Sequence, residues 1–151
     1  MVDIKVKGPA VDPARREATK KSTGTAGGAD RAGFSSAVKT ARRQVLDGDL
    51  RQMLDKVRSF GDAFFRSPDE EKLDDYKDAV AQYLDRVSKE TFSLRQELGS
   101  MKDGQQKVYQ LVETVKHDVD GMTRESLQKD KALALLGSLD EIRGLVLDLF
   151  T

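Results

Sequence analysis

The sequence predicts an all-α protein, an up-and-down antiparallel bundle of about four helices behind a disordered N-terminal arm. Three observations carry that expectation. Charged residues make up 34% of the 151 and aromatic residues 6%, with no tryptophan. That balance suits solvated helices better than a sandwich or barrel. From Leu50 onward, apolar residues recur every three or four positions, and the breaks between these stripes are short. Short breaks make successive helices antiparallel neighbours. A chain of this length buries a single core.

The arm comes first. Residues 1–43 hold ten Lys/Arg against four Asp/Glu, whereas residues 44–151 hold sixteen against twenty-two. A basic arm therefore precedes an acidic body. Up to residue 34 the chain has Pro9, Pro13 and several glycines but almost no large apolar side chain. It buries too little to offset its ordering entropy, so residues 1–34 are read as disordered and residues 35–151 as the bundle, with a firm core at 50–151.

From Phe34, the spacing of Val38, Ala41 and Val45 predicts a short helix, interrupted at Asp47-Gly48-Asp49. Asp49 and Gln52 stand in capping-box positions before a firmer helix to about Arg66. Its stripe is Leu50, Met53, Leu54, Val57, Phe60 and Phe64. At Ser67-Pro68-Asp69-Glu70, Ser67 is expected to cap the next helix, with Pro68 at its first position and Glu70 completing the box. Leu73, Tyr76, Val80, Tyr83, Val87, Thr91, Leu94 and Leu98 then form a coiled-coil-like seam, ended by Gly99. A loop to Gly104 leads to a third stripe, Val108, Leu111, Val112, Val115, Val119 and Met122, with a break expected near Ser126–Lys131. The last segment, Leu133 to Phe150, is apolar around most of its circumference. Such a helix belongs at the centre of the bundle or at a subunit interface.

With no cysteine, disulfides and thiolate sites are excluded. Charges near Met1 stand where a signal peptide needs an apolar run, and no stretch is long enough to span a bilayer. The expectation is a cytoplasmic protein without membrane partners.

A family resemblance rests on Asp74-Asp75-Tyr76-Lys77 with Val80 and Tyr83-Leu84, and on Lys107-Val108-Tyr109 with Leu111-Val112. Its most specific part is the ending Asp140-Glu141-Ile142-Arg143-Gly144-Leu145-Val146-Leu147-Asp148-Leu149-Phe150-Thr151. These segments resemble the YaaR-type family of small uncharacterised bacterial proteins, over roughly two thirds of the chain. The resemblance implies a helical bundle and no settled activity. The family's link before the third helix is often basic and can hold a tryptophan. Here it runs from Gly99 to Gly104 with Lys102 and Asp103, so the resemblance lends that loop no nucleic-acid role.

Candidate chemistry is sparse. His117 is the only histidine and points away from the valine stripe. No catalytic, cofactor or metal residue is therefore assigned, and the chain is expected not to be an enzyme. Glu71, Asp74, Asp75 and Asp78 share one helix face. That face favours the helix dipole, and it is also where a divalent cation or the basic arm would bind. Lys20 to Gly28 lacks the residue order of a phosphate loop. Arg15, Arg16, Lys20, Lys21, Arg42 and Arg43 are candidate phosphate contacts. In the last helix Ala134, Gly137, Glu141 and Gly144 share a face, where the small residues imply either close core packing or an interface. The expected role is a protein-interaction or regulatory accessory module with an unidentified protein partner or as a homodimer. Nucleic-acid association through the arm is the alternative.

Overall fold

A computed structural model describes residues 28–99 and 103–150, without the side chains of residues 28–32 and of Ser35. The rest of the expected arm, including Arg15, Arg16, Lys20 and Lys21, lies outside the described residues, as does part of the 99–104 link. Among the described residues there are four helices and no strand: α1 (Gly28–Arg66), α2 (Glu70–Leu98), α3 (Asp103–Asp120) and α4 (Lys129–Asp148). The expected all-α bundle is what the chain forms. The chain divides into two units, residues 1–38 and 39–151. The described part of the first is the opening of α1, and the buried core lies in the second, starting at Leu46.

α1 departs from expectation twice. It starts at Gly28 rather than near Phe34, because adding Ala29, Arg31 and Ala32 to an existing helix carries no nucleation cost. It also runs through Asp47-Gly48-Asp49 without a break. Gly48 costs the helix about 1 kcal/mol relative to alanine. Burial of Leu46 and Leu50 on either side returns roughly 1.5–3 kcal/mol each. The true stripe is Leu46, Leu50, Leu54, Val57, Gly61 and Phe64, while Val45 and Phe60 are exposed. Gly61 takes the place expected for Phe60, since a Cβ there would lie 3.2 Å from Cε1 of Tyr76.

Ser67 does not cap α2. Asp69 does: it has extended backbone, and its carboxylate accepts the Lys72 N–H at 2.8 Å. Gly99 ends α2 as expected, at φ 79°, its N–H bonded to the Arg95 carbonyl. α3 begins at Asp103, so Gly104 is helical rather than in a loop. The break before α4 falls at Gly121–Gln128, where Met122 and Leu127 are buried. Thr123 and Ser126 close it, each side-chain oxygen accepting the other's backbone N–H.

Cross-helix pairs fix the register. Arg42, early in α1, pairs with Glu97 at the end of α2 at 2.8 Å, and Asp49 with Arg86 at 2.9 Å. Arg43 Nε donates to the Leu147 carbonyl at 3.2 Å, and Arg143 pairs with Asp47. In residues 39–66, α1 is thus antiparallel to both α2 and α4. Apolar burial supplies most of the stability, because pairs this exposed contribute little each.

Candidate functional site

α4 has two unlike sides. Leu139, Ile142 and Val146 are completely buried, whereas Leu149 is only half-buried and Leu133 is 72% exposed. The inner side is pinned by polar contacts. The Tyr83 hydroxyl donates to the Leu139 carbonyl at 2.7 Å. Arg143, 17% exposed, bonds to Asp140 and to Asp47. Burial pushes the Asp47 carboxyl upward, but hydrogen bonds from Arg51 and Arg143 outweigh that and hold it below its ordinary value. Burial likewise works against the Arg143 charge, and its bonds to Asp140 and Asp47 raise its pKa overall.

The outer side carries Ala134, Gly137, Glu141 and Gly144, all exposed. A Cβ at Gly137 or at Gly144 would meet nothing within 4 Å. Close core packing is therefore not why these residues are small. Close approach to the end of α4 occurs instead at Gly104, whose Cβ would lie 2.8 Å from a methyl of Leu149. α4 is therefore not surrounded: one side faces solvent.

Beside Leu133 lies a groove of about 700 Å³ between the last turns of α1 and the first turns of α4. Val57, Gly61, Phe65, Ala132, Leu133 and Leu136 make its apolar wall, and Tyr76 of α2 lines it as well. Arg58, Asp62, Arg66 and Lys129 complete the lining. Tyr76 is 1% exposed, and its hydroxyl has no hydrogen-bond partner among the described residues. Burial pushes its pKa up to about 12. Sequence reasoning placed Tyr76 in the seam without noticing that a buried phenol needs an acceptor.

The remaining candidates are spread over the bundle. Glu71, Asp74, Asp75 and Asp78 are exposed on α2. Among the described residues no three His, Asp or Glu side chains gather where they would hold a metal. Neighbouring Glu70 pairs with Arg124 at 3.7 Å. His117 is exposed. Arg42 grips Glu97 with two bonds and lies 5.2 Å from the centre of the Phe150 ring, and Arg43 holds the Leu147 carbonyl. Both therefore help hold the bundle, and the other four candidate phosphate contacts lie outside the described residues. Among the described residues no helix is long and apolar enough to cross a membrane.

No curated protein and no solved structure matches the chain. The family model described as protein of unknown function DUF327 matches residues 10–150. This is the family that the Ile142–Thr151 ending resembles, and the chain belongs to it.

Proposed function

We propose that the chain is a non-enzymatic accessory module of the cytoplasm, a helical bundle that docks a protein partner, either a different chain or a second copy of itself. The observation that supports this reading is α4. Its inner side is locked by Leu139, Ile142 and Arg143, while its outer side presents Leu133 and a face of small residues to solvent. A rigid helix with an open, low-relief face is a docking element rather than a reaction centre.

A photo-crosslinking residue placed at Gly137 tests it in the native cell, against the same residue at exposed Lys116 on α3. A discrete adduct at position 137 alone supports docking, and equal or absent adducts at both positions overturn it. The nucleic-acid alternative now rests on Arg15, Arg16, Lys20 and Lys21, since Arg42 and Arg43 are engaged within the bundle. A salt-sensitive mobility shift that vanishes on deleting residues 1–27 would favour it.

A further inference from the structure

We propose that the α1–α4 groove beside Tyr76 is the docking site for an acidic amphipathic helical segment of a partner protein. The segment's apolar side chains would lie on Phe65, Leu133 and Leu136, and its carboxylates against Arg66 and Lys129. The inference deepens the docking reading above and rests on it.

Shape and chemistry both point to this occupant. A groove between two helices, walled by Val57, Phe65, Leu133 and Leu136, accepts the apolar stripe of a third helix. Leu133, 72% exposed at its edge, has no role in the core of the isolated chain. The charge of the lining is the second argument. Residues 44–151 carry an excess of carboxylates, yet the lining holds three cations, Arg58, Arg66 and Lys129, against the single carboxylate of Asp62. Asp55 offsets part of this through its 3.1 Å pair with Arg58, a contact exposed enough to be weak. At the N-terminus of α4, the Asp130 carboxylate accepts the Lys131 N–H at 2.9 Å and offsets the positive end of the helix dipole, so the positive charge of the groove is that of its side chains.

Residues 1–27 of the chain itself are a poor occupant, because their charge is basic and the lysines and arginines of the rim repel them.

The test is selection of a random 16-residue peptide library against the full chain, followed by calorimetric titration of the enriched peptides. The expected peptides repeat apolar residues at helical spacing, carry a net negative charge, and bind more weakly as salt rises. Leu133→Asp and Lys129→Glu, both at exposed positions, should each weaken binding at least tenfold while leaving the melting temperature close to the parent's.

Neutral or basic winners, or no enrichment at all, overturn the proposal. So does binding that ignores Leu133→Asp. If that binding instead falls with Gly137→Glu, docking itself stands and only the groove assignment fails. Concentration-dependent self-association abolished by Leu133→Asp would make a second copy the occupant, and a synthetic peptide of residues 1–27 that competes at the groove would make it the arm. Either result overturns the assignment to an acidic partner.

Discussion

Tyr83 donates its hydroxyl hydrogen to the Leu139 carbonyl at 2.7 Å, while Tyr76, two helical turns earlier on the same buried face of α2, finds no acceptor among the described residues. Both rings are 1% exposed or less. A hydroxyl taken from water without a new partner costs free energy, whereas a bonded one returns a modest net gain. The same hydroxyl group therefore adds to stability at one position and subtracts from it at the other, while both buried rings stabilise the core.

Tyr83→Phe should destabilise the protein by about 1 kcal/mol, the worth of one buried hydrogen bond. Tyr76→Phe should be neutral or stabilising by up to about 1 kcal/mol, because it removes a desolvated group that gains nothing. Urea titrations of the two variants provide the comparison. Equal losses would mean that Tyr76 has an acceptor after all.

The Asp47–Arg143 pair predicts a pH dependence. The folded Asp47 carboxyl titrates below its ordinary 3.8. Its contribution is therefore complete above about pH 4–5 and is lost as the pH falls through the lower folded value. At neutral pH, Asp47→Asn should cost about 1 kcal/mol, since the pair is only partly buried. Below the lowered folded value the variant should converge on the parent. A gap in stability that stays constant from pH 7 down through that value would contradict this linkage.

Replacing Ser67 by Ala should leave the denaturation midpoint where it is, because Ser67 is exposed and stands outside α2. Asp69→Ala should lower the midpoint by removing the acceptor for the Lys72 N–H. The Lys72 backbone N–H bond is also the chief reason the Asp69 carboxyl titrates low, so the two variants should draw together in acid. The reverse ranking at neutral pH would restore Ser67 as the cap.

On α4 the contrast is between inside and outside. Ile142→Ala should cost about 2–5 kcal/mol, the range for an unfilled core cavity. Gly144→Ala, in open space, should raise stability by about 0.5–1 kcal/mol through helix propensity alone. Gly144→Leu should also fold normally. Thermal melts check all three, and loss of stability in Gly144→Leu would mean that another helix covers that face.

The helices and most of the core were legible because period and burial agree over long stretches such as Leu73–Leu94. What stayed hidden depended on neighbours distant in sequence. The α1 stripe passes through Gly61 rather than Phe60 because Tyr76 fills the space a larger side chain would take. The helix continues across Gly48 because Leu46 and Leu50 are held by tertiary packing, which overrides local propensity. Asp69 and Ser67 are both good caps by composition, and geometry decides between them. Gly137 and Gly144 stand on an exposed face, and residue type alone does not separate a core contact from an open surface. The α1–α4 groove was not visible at all, since it joins residues more than sixty positions apart.

The bond from Arg43 to the Leu147 carbonyl spans 104 positions of sequence, and Arg42 rests on the Phe150 ring. During synthesis, at roughly 5–20 residues per second, about 5–20 s separate the making of those partners. Throughout that interval the inner faces of α1 and α2 lack the helix that covers them. A chain cut short before α4 would therefore leave those apolar faces uncovered, an aggregation-prone intermediate rather than a smaller folded protein.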